Sequence, residues 1–238
     1  LPVHGCDTAG SAWREEQVVQ PVVPVQEAEP LRSLEHPGPH DLGDLAHGRD
    51  VVVGEQVSGV TTMQMGVGLD DGDMLLKEEV ILREDETGGS LFDRLAEVGG
   101  ALCVKTIEGL AEGSITPIPQ DEAQATHVGM IKKSMGNLDF SRSAVELERL
   151  VRGLNPWPSA YTHLGNKTLK VWKARVDTET KTEAQLGEVV SSDASGIAVA
   201  TGEGLFVMEE IQLEGKKRMC VADFLRGRDI PVGTMLCD

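Results

Sequence analysis

The run from Gly59 to Met74, Gly-Val-Thr-Thr-Met-Gln-Met-Gly-Val-Gly-Leu-Asp-Asp-Gly-Asp-Met, is where this chain concentrates residues that do chemistry. The carboxylates of Asp70, Asp71 and Asp73 follow a stretch that alternates apolar and polar side chains as a strand does. Gly66, Gly68 and Gly72 let the backbone between them turn sharply and approach a ligand closely. An acidic loop leaving a buried strand is where α/β proteins hold acid–base groups. Asp70 taken alone has a plainer reading, a loop carboxylate that caps a nearby N–H. Competing centres are weak. Cys6, Cys103, Cys220 and Cys237 are scattered without a Cys-x-x-Cys pair. They read as reduced thiols of a cytosolic protein rather than disulfides or a zinc site. His36, His40 and His47 have Pro and Gly between them at no ligand spacing, and read as loop histidines with no metal.

These residues need elements to position them. Gly59–Met65 reads as a buried strand, with Val60, Thr62 and Gln64 on one side and Thr61, Met63 and Met65 on the other. Met74–Leu76 and Val80–Leu82 read as further strand pieces around Lys77-Glu78-Glu79. Leu91, Leu95, Val98, Leu102 and Ile107 give one apolar face to a helix over 90–108, with Thr87 or Ser90 as N-cap and Gly109 or Gly113 as its stop. Ahead of all this, residues 1–50 read as no folded element: six of the 11 prolines and four of the six histidines lie there. Only Val51–Val53 looks strand-like. Residues 1–60 also lack Phe, Tyr, Met, Ile, Asn and Lys, all of which occur later. The segment is therefore expected to be either disordered or the product of a shifted reading frame.

A second unit follows. A helix is expected from Ser141 to about Gly153, broken by Asn155-Pro156-Trp157-Pro158. Short alternating runs at 160–162, 168–176, 187–190, 196–201 and 205–213 then predict a small β-barrel of the OB type, closed by a short helix over 221–226. Trp157 and Trp172 read as core packing rather than stacking platforms. The net charge of −17 argues against a generally basic, nucleic-acid-binding surface. The charge is uneven, however: residues 1–140 carry 9 Lys and Arg against 25 Asp and Glu, whereas 141–238 carry 13 against 14. A local cationic patch therefore remains open in the second unit. Arg142, Arg149 and Arg152 share a helical side, Lys170 and Lys173 flank Trp172, and Lys216-Lys217-Arg218 forms a basic turn. The plainer reading makes these solvated charges balancing Glu146, Glu148 and Glu210. No run of about 18 apolar residues predicts a membrane span, and no basic stretch followed by an apolar core marks a leader.

Several separated motifs resemble one family. Gly-Val-Thr-Thr-Met-Gln-Met leading into Leu-Asp-Asp-Gly-Asp, Leu91-Phe-Asp-Arg-Leu-Ala-Glu-Val-Gly99, Pro119-Gln120-Asp121-Glu122, Asn155-Pro-Trp-Pro-Ser-Ala-Tyr-Thr162 and Leu169-Lys-Val-Trp-Lys-Ala-Arg-Val176 occur in the order seen in the tetrahydrofolate-dependent formyltransferases. The resemblance is greatest to the methionyl-tRNA formyltransferases and covers roughly residues 51–238. It implies an α/β remnant of a Rossmann-like formyltransferase domain over 51–116, a linker over 117–140 and an OB-like tRNA-binding domain over 141–238. It implies formyl transfer from 10-formyltetrahydrofolate to the amino group of methionyl-initiator-tRNA, in a cytoplasmic monomer without membrane contact. By resemblance Asp70 is the catalytic aspartate, and Gly68, Leu69 and Asp71 lie against the formyl donor. The basic residues above would then hold tRNA.

The match is incomplete. The family pairs its aspartate with an Asn and a His in an Asn-x-His motif, and this chain has none; its first Asn is Asn137. Val3-His4-Gly5 echoes the motif, but Pro2 stands where Asn belongs and His4 precedes Asp70 by nearly twice the family's separation. Asp71 also stands where the family has Thr. The chain alone is therefore expected to be inactive. Two alternatives stay open: a sugar-nucleotide formyltransferase, and a non-catalytic tRNA-binding module.

Overall fold

The computed structural model describes residues 20–22, 48–68, 70–121, 123 and 131–236. The proposed disorder or frame shift of residues 1–50 falls mostly outside them, as do His36, His40, His47, Cys6 and Cys237. The expectation that residues 1–50 hold no element is corrected at two places, at Gln20–Val22 and at Arg49–Asp50, where a helix begins. Gln20–Val22 forms strand β1, antiparallel to a strand containing Thr61–Met63. It lies at the sheet's edge, where the missing N–H of Pro21 is tolerated.

Val51–Val53, expected as strand, lies instead in helix α1, Arg49–Val53. Its neighbours Val51 and Val52 are buried in two different cores, Val51 with the first unit and Val52 with the second. A helix rotates about 100° per residue, which lets adjacent side chains serve cores on different sides. Gly54, in the left-handed region at φ 87°, ends the helix by returning its N–H to Asp50 O.

The first unit is a sheet of order β1-β2-β3 backed by one long helix. Strand β2 spans Val57–Met63 and pairs antiparallel with β3, Met74–Ile81. β3 runs unbroken through Lys77-Glu78-Glu79, whose side chains are exposed, rather than as two pieces. Every residue of β2 from Ser58 to Met63 is buried, so both of its predicted faces are covered. Helix α2, Gly88–Glu112, is longer at both ends than the apolar spacing predicted. Thr87 is its N-cap and Ser90 the reciprocal partner: Ser90 N–H donates to Thr87 Oγ1 at 3.1 Å and Thr87 N–H to Ser90 Oγ at 2.9 Å. Leu91, Leu95 and Leu102 pack it on Val60 and Val80. A buried 2.8 Å hydrogen bond joins Thr106 on α2 to Thr62 on β2.

The second unit begins with a 3-10 turn at Lys133–Gly136 and helix α3, Ala144–Gly153. Ser143 caps α3 with Glu146 as reciprocal partner. Strands β4 (Ala160–Leu164), β5 (Lys167–Asp177), β6 (Val189–Asp193), β7 (Gly196–Ala200) and β8 (Leu205–Leu213) form a sheet of order β4-β5-β8-β7-β6. The two-residue β9, Met219–Cys220, pairs with β8 and leads into α4, Val221–Gly227. The expected OB-type closure is not among these pairings: β4 and β6 end the sheet without joining each other. Each outer strand is instead covered by irregular chain. Leu138 N–H donates to Tyr161 O on the β4 side, and Val189 N–H donates to Thr234 O on the β6 side. Covering an edge satisfies its backbone groups as closure would. Trp157, expected in the core, is 56% exposed. No helix among the described residues is long and apolar enough to cross a membrane.

The units meet at glycines. A Cβ on Gly88 would lie 2.3 Å from Gly153 O, one on Gly48 would lie 2.1 Å from the same oxygen, and one on Gly153 would lie 2.3 Å from Val52 Cγ2. At Gly48 and Gly88 a side chain is excluded because backbone meets backbone, and at Gly153 because the Val52 side chain fills the space. Gly89 N–H at the start of α2 donates to Asn155 O at 2.9 Å, just past the end of α3. The Arg152 guanidinium donates to Glu86 O at 3.0 Å. Glu86 is 1% exposed, accepts from Ser90 Oγ at 2.5 Å and pairs with Arg94.

Two measurements check this account. Gly100 in α2 has nothing within 4 Å of its would-be Cβ, so Gly100→Ala should raise Tm by about 2 °C through helix propensity. Gly88→Ala, favoured by the same propensity, should lower Tm because its methyl meets backbone. Ser143→Ala should cost about 1 kcal/mol at pH 7, read by urea unfolding. Burial pushes the Glu146 carboxyl up, but hydrogen bonds from Ser143 and Arg142 outweigh it and hold it below its usual 4.5. Stability from a lowered carboxyl is present above its unfolded-state pKa and lost as pH falls through the folded-state one. The Ser143→Ala deficit should therefore shrink at pH 3.

Candidate functional site

β2 ends at Met63, and the loop over 64–73 returns the chain to β3. Its base is tied where Gln64 N–H donates to Asp73 O at 2.9 Å. Gly72 sits against the same base: a Cβ there would lie 1.5 Å from Gln64 O, so only glycine fits. The Asp71 carboxylate folds back to accept from Gly68 N–H at 3.0 Å. It fills the space over Gly66 and Gly68, where Cβ atoms would lie 2.1 and 2.5 Å from its oxygens. Asp71 thus closes the loop in the way first considered for Asp70.

Asp70 is placed differently. Its backbone is left-handed at φ 53°, and Ser159 is the only other non-glycine residue with positive φ among those described. Its side chain is exposed, and no described residue bonds its carboxylate. Its carbonyl is held by Gln120, whose Nε2 donates to Asp70 O and to Gly72 O, each at 2.7 Å. In sequence Gln120 stands only as part of the Pro119–Glu122 motif within the expected linker. The signal available in sequence was that a long amide stood just beyond two prolines. Leu69, nominated beside the formyl donor, lies outside the described residues. Gly68 is exposed in the same loop as Asp70 and Asp71.

The nominated cations fall into separate places. Arg149 and Arg152 face the junction: Arg149 donates to Val53 O at 3.4 Å and lies over Gly54, while Arg152 forks onto Glu148 at 2.6 and 3.0 Å and reaches Glu86 O. Arg142 pairs with Glu146 at 3.0 Å. The other group gathers about Trp172 on β5. Lys170 Nζ lies 5.7 Å and Arg218 Cζ 5.0 Å from its ring centroid, within cation–π range. The indole N–H donates to Gln212 at 3.1 Å, and Gln212 in turn donates to Lys216 O at 3.0 Å. Lys216 and Lys217 are exposed on that turn. Arg218 also pairs with Glu210, and Lys173 with Glu209 at 3.0 Å. The Glu209 hydrogen bond holds the Lys173 ammonium above its usual value. Carboxylates therefore balance several of these cations, as the plainer reading has it, while the sheet brings Lys170, Trp172, Arg218 and the Lys216–Lys217 turn together. No cluster of metal-ligating side chains exists among the described residues.

Comparison with known proteins bears on both units. Residues 39–107 match the family described as formyl transferase, and residues 130–229 match the formyl transferase C-terminal domain. A methionyl-tRNA formyltransferase of Lachnospira eligens is 53% identical over 190 residues, covering 78% of this chain and 60% of that protein. One of Desulfotalea psychrophila is 47% identical over 186 residues, covering 78% and 57%. The chain thus spans about 60% of the length of the relatives it matches. Among solved structures, HypX of Aquifex aeolicus in complex with tetrahydrofolic acid shares the fold at TM-score 0.56 and 19% identity, over 84% of this chain and 38% of that one. An N-formyltransferase of Helicobacter canadensis does so at TM-score 0.55 and 14% identity, over 69% of this chain and 59% of that one. With both parts matched in order and relatives this near in sequence, the chain belongs to the formyltransferase family.

Proposed function

We propose that the chain serves formyl transfer from 10-formyltetrahydrofolate to the amino group of methionyl-initiator-tRNA, in translation initiation. The observation that carries this is Asp70, left-handed within Leu-Asp-Asp-Gly-Asp, its side chain exposed and its carboxylate bonded by no described residue. The identity of 53% to a protein of that name supports the choice of acceptor. The sugar-nucleotide alternative has weaker support, since the similar sugar N-formyltransferase structure WlaRD is 14% identical and carries the fold alone.

The chemistry follows from the reaction. Bound 10-formyltetrahydrofolate supplies the electrophilic formyl carbon. The methionyl amine must lose a proton as it attacks, and an oxygen becomes negative. Asp70 can accept that proton through water. Gly68 and Asp71 shape the loop beneath it. No described residue supplies the oxyanion donor or the histidine of the family beside Asp70. The second unit, read as an RNA-binding module, would hold tRNA phosphates through Lys170, Lys216, Lys217 and Arg218. Lys173 and Arg142 stand near their own carboxylates, and Arg149 and Arg152 are engaged at the junction. With tRNA as partner, the protein is proposed to act in the cytoplasm as a monomer away from membranes. The absent Asn-x-His motif favours a second reading, in which the chain binds tRNA without turnover.

Two experiments test the proposal. The purified chain should bind initiator tRNA yet transfer formyl more slowly than the Lachnospira eligens relative by at least the factor of about 10²–10⁴ that one missing acid–base partner costs. Asp70→Asn should abolish what transfer there is; equal rates in the two assays contradict the assignment, and absence of tRNA binding removes the acceptor. Salt titration of tRNA binding should give a log–log slope smaller by about two in the Lys216→Ala, Lys217→Ala double variant. An unchanged slope places the phosphates elsewhere.

A further inference from the structure

A non-glycine residue in the left-handed region is strained and persists where its surroundings over-determine it. At Asp70 the determinant is a single side chain. An amide NH₂ has two donors, and Gln120 directs both into the acidic loop, to Asp70 O and Gly72 O at 2.7 Å. Those carbonyls bracket Asp71, so the turn between them is pinned at both ends. The remaining ties in the loop serve other positions: Gln64 to Asp73 closes its base, and Gly68 to Asp71 closes its tip.

Gln120 is itself anchored. Two residues before it, Ile118 exchanges both backbone bonds with Met74, at 2.8 and 2.9 Å, where β3 begins. The strap 117–121 therefore lies beside the loop as a short extra edge, and Gln120 reaches across from it. Its Nε2 also stands 3.8 Å from Met63 Sδ, at the end of β2. The strap belongs to the connection between the units; beyond it, Ile131 packs against the core of the second.

We propose that Gln120 is a positioning residue for Asp70: by clamping the two carbonyls it sets the left-handed turn and so the direction of the exposed carboxylate. The inference rests on Asp70 being the acid–base group, and it places the control of that group on the inter-unit connection.

The test uses the whole chain, isotopically labelled, with amide exchange and the Asp70 carboxyl ¹³C resonance as readouts. Gln120→Met keeps the length and removes the donors. Exchange at Gln64 and Gly68, the loop amides that donate hydrogen bonds, should quicken about tenfold or more as the loop loosens, and the Asp70 resonance should move. Amides of β2 and α2 should keep their protection. Gln120→Glu should loosen the loop equally at pH 7. Below about pH 4 its protonated carboxyl regains one O–H donor and should restore part of the protection, which a merely space-filling role would not do. Unchanged loop exchange in both variants overturns the proposal, as does loss of core protection together with the loop, or a Gln120→Glu loop indifferent to pH. If the loop responds as stated but Asp70→Asn leaves formyl transfer unchanged, the clamp stands and the catalytic reading of Asp70 fails.

Discussion

Gly48, Gly88 and Gly153 meet backbone to backbone, and that contact constrains the rest of the molecule. With no Cβ between them, the start of α1, the start of α2 and the end of α3 approach more closely than side chains permit. The approach lets the first free N–H groups of α2 face carbonyls just past the end of α3, as the Gly89–Asn155 bond does. Helix ends of opposite polarity favour such a meeting. Around the contact, Glu86 is buried with Arg94, and Arg152 crosses from the other unit to the Glu86 carbonyl. A buried ion pair adds little net stability, because desolvation offsets its attraction. Its geometric demands are strict, so its weight here falls on holding Glu86 at the start of α2, while the Arg152 bond to the Glu86 carbonyl is what crosses between the units.

From that joint the first unit runs through α2 and its sheet to the loop. Thr62 accepts from Leu76 N–H, bonds Thr106 on α2, and so ties both strands to the helix near the loop. Thr106 in turn donates to Leu102 O within α2. These buried polar groups are mutually satisfied, which turns a cost into specificity. The loop then starts from strand ends that cannot slide, and the strain at Asp70 has a frame that sustains it.

Much of this was legible in sequence, for physical reasons that differ by element. α2 showed itself through Leu91, Leu95 and Leu102, because a helix on a sheet buries a stripe. Its cap showed as a choice between Thr87 and Ser90, two hydroxyls before the apolar run, which the structure resolves as Thr87 with Ser90 reciprocating. The strands of the second unit showed through alternation and turn glycines. Val51–Val53 misled because three β-branched residues signal strand, whereas here they form one turn of helix whose neighbouring side chains enter different cores. OB-type closure misled because local pattern says where strands are, not which edges join. Gln120 was visible but mute: an amide that bonds carbonyls 48 and 50 residues away leaves no local period.

The acidity of the chain bears on the second unit less than its total suggests. Exposed charges act over about 8 Å at physiological ionic strength, so the acidic surplus of residues 1–140 reaches a patch in the second unit only where the surfaces adjoin. Within that patch the balance is local. Arg218 lies between the Trp172 ring and Glu210, and Lys173 is matched by Glu209. A polyanion arriving there must compete with those carboxylates for Arg218 and Lys173, but not for Lys216 and Lys217, which sit exposed on their turn. Contacts that displace an existing partner return only the difference between two ion pairs, whereas contacts made by solvated lysines release counterions in full. Affinity for phosphate should thus concentrate on the turn. Trp172, gripped by Lys170, Arg218 and Gln212, holds that turn in place through the Gln212 bond to Lys216 O.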